Sequence, residues 1–456
     1  MQGQGIKILE SSVILPSSPP LGDSHNHNHD LPLSHLDTDP NLNLTFRYLR
    51  AYVASSLDPF HVISSSLPRA LSHFYPLAAT LHASPHRLQL CCSAAQGVPL
   101  LRAAANFSLH SVNFLDDPAS PFLDHLVPDP GPRQGMDHPC MLQLTVFACG
   151  GFTLGAAMHH ALCDGIGGTL FFNALAELAR GATRITLDPV WERPALLGPR
   201  DPPRVDSPFI QEFLRLQKGL LPYQHHVAVG AITRECFHVK DQCLHKFKRS
   251  LSDHSGFNFT VFEALAAYIW RAKVRASGIE ADEKVKFAYS MNIRRVVKPA
   301  LPDGYWGNGC VPMYVELRAK DLIEKPIWET AELIKKSKSN VTDEYVRSYI
   351  DYQELHFADG ITAGTEVSGF TDWRHLGHST VDFGGGGPVT VLPLGRYLLG
   401  SVEPCFFLPY STATAEKKEG FKVLVTLRHS ALPAFREDMQ VFCNTQDQCL
   451  SPLYKL

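Results

Sequence analysis

The longest apolar run in this chain, Met141 to Met158, reads MLQLTVFACGGFTLGAAM and is split by Gly150 and Gly151. A central glycine pair, with Thr, Val and Phe dense on either side, defeats a membrane-spanning helix and suits two buried strands joined at the pair. The chain is thereby committed to a buried sheet in its first half. Directly after it comes His159-His160-Ala161-Leu162-Cys163-Asp164-Gly165. A polar turn therefore stands where a rigid strand can hold a side chain at the edge of a cavity.

At 456 residues the chain exceeds the size at which one hydrophobic core keeps growing, so two domains with a site between them are expected. Apolar residues make up 45% of it, enough to fill two cores. From Asp188 to Pro208 prolines and charges accumulate without periodicity, which reads as a linker. The expected division is residues 1–190, a linker over 191–208, and residues 209–456. A formal charge of −3 creates no field that favours nucleic acid or an anionic membrane as a partner. The cysteines, eleven without paired C-x-x-C motifs, read as reduced thiols packed as small hydrophobes. Met1 to Pro20 carries no signal-like pattern and no apolar stretch is long enough to cross a bilayer, so the expected location is cytoplasmic.

Apolar residues at helical spacing predict helices over about 44–54 and 62–74, with Ser34 or Asp37 starting a helix before them. Further helices are expected over about 169–180, 262–276, 327–352 and 432–442, and strands over about 286–291 and 421–427. Both halves mix the two kinds of element in irregular order. The expected class is α/β, two sandwich-like domains of mixed sheet and helix rather than a doubly wound nucleotide fold.

Histidine is the side chain whose ordinary pKa best suits proton removal at neutral pH, which makes His160 the first candidate for a general base. The same turn admits other readings. His160 and Asp164 could hold zinc at i and i+4, although no third ligand stands at metal-like spacing. The histidine could pack in a core, or Cys163 could be a nucleophile. Near the start, DSHNHNHD offers His25, His27 and His29 as metal ligands or as a polar surface loop. The four glycines Gly384 to Gly387 lack the Lys and Ser/Thr that complete a phosphate loop, so no triphosphate site is expected.

Taken together, His160-Ala-Leu-Cys-Asp164-Gly165 and Asp382-Phe-Gly-Gly-Gly386 resemble the H-x-x-x-D-G and D-F-G-W-G signatures of the plant BAHD acyltransferases, in the same order and at a similar separation. Leu33-Ser-His-Leu-Asp37, Phe74-Tyr-Pro-Leu-Ala78, Cys149-Gly-Gly-Phe-Thr-Leu-Gly155, Asn292-Ile-Arg294, Gly304-Tyr-Trp-Gly-Asn308 and Thr371-Asp-Trp373 are similar to further segments of that family, so the resemblance runs nearly the whole chain. It implies two similar-sized domains of the chloramphenicol-acetyltransferase type with a solvent channel at their interface. It also implies a monomer, no permanently bound cofactor, and acyl-CoA as co-substrate with a small alcohol or amine as acceptor.

In the implied mechanism His160 takes the acceptor's proton as it attacks the thioester carbonyl and returns it to the departing thiolate, with no acyl-enzyme. The resemblance sets Thr371 and Trp373 opposite, as donors to the oxygen that gains charge. It gives Asp164, beside Gly165, the task of holding the loop by pairing with Arg294, and Asp382 that of anchoring a turn with Gly384 and Gly386. Two positions depart from the family pattern. Gly385 replaces a tryptophan, which leaves space that could widen acceptor scope or loosens the turn, and Asn292 replaces an aspartate. Arg271 and Lys273 are the candidates for CoA binding. Local similarity to the branch acting on hydroxycinnamyl alcohols such as coniferyl alcohol makes acetyl transfer from acetyl-CoA the expected reaction. A bulkier aromatic or branched acyl group, or an amine acceptor, is the second reading, and a non-catalytic homologue that binds a ligand or partner is the third.

Overall fold

The split apolar run folds as two antiparallel strands, Cys140–Phe147 and Phe152–His159, nearly every residue of which is buried. They lie in a six-stranded sheet ordered Ile6–Ile14, Val98–Ala105, Cys140–Phe147, Phe152–His159, Thr45–Tyr52, Thr390–Pro393. This computed structural model describes residues 5–18, 30–83, 87–92, 96–218, 223, 231–413 and 419–444. The candidate metal ligands His25, His27 and His29 lie outside the described residues.

A second six-stranded sheet runs Ile232–Val239, Phe421–Arg428, Cys405–Leu408, Val367–Asp372, Lys284–Asn292, Cys310–Arg318. Its central strands pair in parallel, Lys284–Asn292 with Val367–Asp372 and that strand with Cys405–Leu408. Helix Val261–Ala276, started by a capping box between Thr260 and Glu263, buries its length in this half's core. In the first half, helix Pro59–His73 begins with Asp58 as cap and Pro59 at its first position, and packs against helix Gly165–Ala179. A third apolar cluster joins Leu49, Ala51 and Leu392 of the first sheet to Phe406, Leu408 and Leu424 of the second. The molecule is therefore α/β with two mixed sheet-and-helix halves meeting across a shared core.

Several expectations need correction. Residues 44–54 form no helix; Thr45–Tyr52 is an interior strand flanked by Phe152–His159 and Thr390–Pro393. Its last six residues are all buried, and a strand covered on both faces loses the period-2 alternation that distinguishes it from a helix. Ser34 and Asp37 start no helix either, because the Asp37 carboxylate is turned inward to tertiary partners and only a short 3₁₀ turn, Pro40–Leu42, follows. The long helix expected over 327–352 is two, Ile327–Ser339 and Asp343–His356, the second restarted by Thr342 as its cap. The stretch 191–208 is not a loose tether. It carries helix Arg193–Leu197, whose Arg193 is wholly buried, and Arg200 is held by Asp351 at 2.6 Å. Finally, the chain does not divide at 209. The segment after Asp382 returns to the first half, where Thr390–Pro393 forms an edge of its sheet.

Candidate active site

His160 follows the last residue of strand Phe152–His159, and its position is fixed through its main chain. Its N–H donates to Leu44 O at 2.8 Å, and its carbonyl accepts from Asn308 Nδ2 at 2.9 Å. The imidazole is half-buried, with Nδ1 enclosed and without a hydrogen-bond partner, so Nε2 is the nitrogen left with access. Burial pushes its pKa below the ordinary histidine value, and the ring is neutral at physiological pH. The edge of Phe46 lies against it, the ring centres 5.9 Å apart.

The ring lines a cavity of about 430 Å³ between the two halves, walled by residues of both sheets. Thr371 and Trp373, at the end of strand Val367–Asp372, line the same cavity. Phe46 stands between His160 and Trp373, 5.9 Å from each ring. The sequence candidates His160, Thr371 and Trp373 are thus brought to one space, from opposite halves of the chain.

Asp164 borders the same space, but its carboxylate is taken up by other groups. Its Oδ1 accepts from Ile166 N, Gly167 N and Arg294 Nη2, and its Oδ2 from Arg294 Nη1 at 2.8 Å and Gly309 N at 2.9 Å. It therefore caps helix Gly165–Ala179 and ties it to the second half at once. Although burial opposes its charge, the Arg294 guanidinium and the converging N–H groups hold its carboxyl below the usual carboxylate range. With both oxygens taken up by N–H donors, Asp164 is not presented to a zinc ion beside His160. Among the described residues no group of three or more His, Cys, Asp or Glu is arranged to hold a metal. Asn292, the departure from the family aspartate, accepts from Arg294 N at 3.0 Å and shapes its own turn. Burial pushes the Cys163 thiol well above its ordinary value, which withholds the thiolate a nucleophile needs.

Asp382 anchors a turn of its own. Its Oδ1 accepts from Gly384 N at 2.7 Å and Gly386 N at 2.9 Å, and Arg180 donates to its carbonyl. Gly384 and Gly386 hold φ of +101° and +97°, the left-handed region where a side chain is strained. Gly385 leaves no room in the active cavity, contrary to the space expected there. It borders a separate narrow cleft beside Tyr52 and Phe383, and a Cβ at Gly385 would already meet Ser55 Cβ at 2.9 Å.

The CoA assignment of Arg271 and Lys273 is also overturned. Both are buried, 6% and 2% exposed, and donate to Lys325 O and Glu403 O. Their helix packs against helices Ile327–Ser339 and Leu432–Asn444 as well as lying in the second core, so these two cations point inward, and neither lines the cavity.

Sequence reasoning missed the groups that fix His160. Asp37, wholly buried, accepts from Asn308 N and Nδ2 at 2.7 and 2.9 Å and from Arg193 Nη1 at 3.2 Å, while Arg193 Nη2 donates to Leu162 O. Trp306 Nε1 donates to Gly167 O. The Leu33–Asp37 and Gly304–Asn308 segments carried the signal for these residues, but not their roles. Asp39 lines the cavity with Oδ1 held by Asn41 and Oδ2 by Tyr349 OH, and burial raises its pKa.

The Transferase family matches residues 5–442 of the chain. The spermidine coumaroyl-CoA acyltransferase of Arabidopsis thaliana is 31% identical over 91% of this chain and 92% of its own length. The fatty alcohol:caffeoyl-CoA acyltransferase of the same plant is 32% identical over 87% and 90%. Vinorine synthase, 20% identical, shares the fold with a TM-score of 0.73 over 96% of this chain and 98% of its own.

Proposed function

The chain belongs to the Transferase family, the BAHD acyltransferases, and from that premise we propose that it is an acyl-CoA-dependent O-acyltransferase with His160 as general base. The observation that carries this reading is the setting of His160, a neutral imidazole pinned by its main chain and opening onto the cavity between the halves. The acceptor hydroxyl gives its proton to His160 as its oxygen bonds to the thioester carbonyl carbon. Collapse of the tetrahedral intermediate breaks the carbon–sulfur bond, and the imidazolium protonates the leaving thiolate. A positioned base of this kind contributes roughly 10²–10⁴ in rate, and holding both reactants in one cavity supplies the larger proximity effect. Thr371 and Trp373 are the proposed donors to the oxyanion.

Aromatic walls at Phe46, Tyr48 and Trp373 suit a planar acceptor, and the proposed reaction is acetyl transfer from acetyl-CoA to a hydroxycinnamyl alcohol such as coniferyl alcohol. An amine acceptor is favoured by one observation, the carboxyl of Asp39 on the cavity wall, since an arriving ammonium would offset the cost of ionising it there. The spermidine acyltransferase among the relatives agrees with that second reading. Thiol release from acetyl-CoA and coumaroyl-CoA, measured with coniferyl alcohol, a fatty alcohol and spermidine and with products identified by mass, tests both. Release that needs an alcohol supports the first reading, and release with spermidine alone supports the second. No release from folded protein contradicts the enzyme.

A further inference from the structure

Three buried aspartates stand around His160, and two of them are matched by a cation. Asp37 meets Arg193 Nη1 at 3.2 Å, and Asp164 is held by Arg294. Asp39, 6% exposed on the cavity wall, has no cationic partner among the described residues. Its hydrogen bonds come from neutral donors, Asn41 N at 2.8 Å and Asn41 Nδ2 at 3.0 Å on Oδ1 and the Tyr349 hydroxyl on Oδ2. Gln353 Nε2 donates in turn to the Tyr349 oxygen at 3.2 Å. Asp39 only accepts in these bonds, as a carboxylate does, whereas a carboxylic acid would have a proton of its own to place. A buried charge without a counter-charge is costly, and the structure keeps one beside the proposed base.

The backbone fixes where that charge lies. Asp39 caps the short turn Pro40–Leu42, and the chain then reaches Leu44, whose carbonyl accepts the His160 N–H at 2.8 Å. Before the turn, Asn308 Nδ2 donates both to Asp37 Oδ1 and to the His160 carbonyl. The segment from Asp37 to Leu44 is therefore fastened to His160 at both ends, with Asp39 between. Of the charges acting on Asp39, the His160 imidazolium most favours its ionised form, and the Asp39 carboxylate in return favours the imidazolium. Asp164 favours it as well, but that carboxylate is already paired with Arg294. The other titratable neighbours are uncharged at working pH. Burial lowers His159 to about 3 and raises Tyr223, Tyr314, Tyr349 and the thiols of Cys163 and Cys310.

We propose that Asp39 is a positioning residue for His160, its carboxylate serving as counter-charge to the imidazolium that forms when the acceptor gives up its proton. The inference rests on the acyltransferase reading and deepens its mechanism. No proton moves to Asp39; the proton stays on His160 until the departing thiolate takes it. The charge that burial makes costly in the resting enzyme is offset only once the base is protonated, so the attraction favours the transition state over the ground state. It acts through space across a low-dielectric wall and therefore requires no contact with the substrate.

The test is Asp39→Asn, which keeps the shape and removes the charge, assayed with each acceptor that supports thiol release. Both kcat and kcat/KM should fall together by about tenfold or more with KM unchanged. The acid limb of kcat/KM should move to lower pH, because an imidazole that loses a nearby negative charge takes up its proton less readily. Asp39→Glu, which keeps the charge, should recover part of the rate. Urea midpoints separate this role from a scaffold role, since removing an uncompensated buried charge should leave stability at or above that of wild type. An unchanged kcat or an unmoved acid limb overturns the proposal. So does a variant that unfolds or loses stability, which would make Asp39 part of the scaffold, and so does a change confined to KM, which would make it a substrate anchor. Absence of thiol release with every pair strikes the acyltransferase reading instead, and nitrogen NMR still tests Asp39. The His160 ring should titrate at lower pH in Asp39→Asn than in wild type, and equal titration overturns the proposal.

Discussion

Two aspartates each hold a glycine turn, and their surroundings could hardly differ more. Asp164 is buried, meets Arg294 from the second half of the chain, caps a helix and accepts from Gly309, all with one carboxylate. Asp382 closes a turn through two hydrogen bonds to glycines within four residues of itself, and Gly384 to Gly387 are exposed. The first carboxylate joins the loop that carries His160 to the opposite half of the molecule. The second shapes only the path by which the chain returns to the edge strand Thr390–Pro393. An aspartate beside a glycine turn can therefore tie two halves together or close only its own turn, and burial with long-range partners decides which.

That contrast is broken most readily by truncation. Asp164→Ala leaves the Arg294 charge buried without its partner and should cost about 3–5 kcal/mol, whereas Asp382→Ala loses local bonds and should cost about 1 kcal/mol. Urea midpoints at unchanged m-value measure both, and equal losses would remove the distinction. The next effect is read in acid. His159 and His378 are held down to about 3 by burial, while their unfolded pKa is about 6.5. Between those values the unfolded chain binds protons that the folded one refuses, so stability falls as pH drops below about 6.5, by roughly 1.4 kcal/mol per pH unit for each histidine. Asp164 adds in the same direction, since a depressed carboxyl stabilises above its unfolded pKa and loses that contribution as pH falls through its folded one. Unfolding at pH 7.5, 6.5 and 5.5 checks this; a flat profile would contradict the burial of these rings. Smallest is Gly385→Trp. Ser55 must shift, yet the turn is exposed and lies outside the active cavity, so stability should change by no more than about 1 kcal/mol and KM for either substrate should stay the same. An altered acceptor ranking would join the second turn to the active site after all.

The same division governs what could be read from the letters. Strands Cys140–Phe147 and Phe152–His159 were legible because a glycine pair interrupts an otherwise apolar run, a local signal. Thr45–Tyr52 was not, because a strand covered on both sides presents consecutive buried residues that mimic helical spacing. His160 was visible within a compact motif. The groups that surround it were not, since Asn308, Arg193 and Asp37 meet only in the folded chain, and Arg50 meets His378 across 328 positions of sequence. Arg271 and Lys273 misled for the complementary reason. A cation on a helix advertises solvent, but this helix is enclosed by packing on several sides.

The central claim is tested most directly by His160→Ala, assayed for acceptor-dependent thiol release beside a thermal unfolding curve and a CoA-binding titration. The account predicts a loss of about 10²–10⁴ in kcat with folding and CoA affinity retained, because the loop is held by main-chain bonds and by Asp164 rather than by the imidazole. Turnover within a few-fold of wild type in the folded variant would contradict it and place the base elsewhere in the cavity.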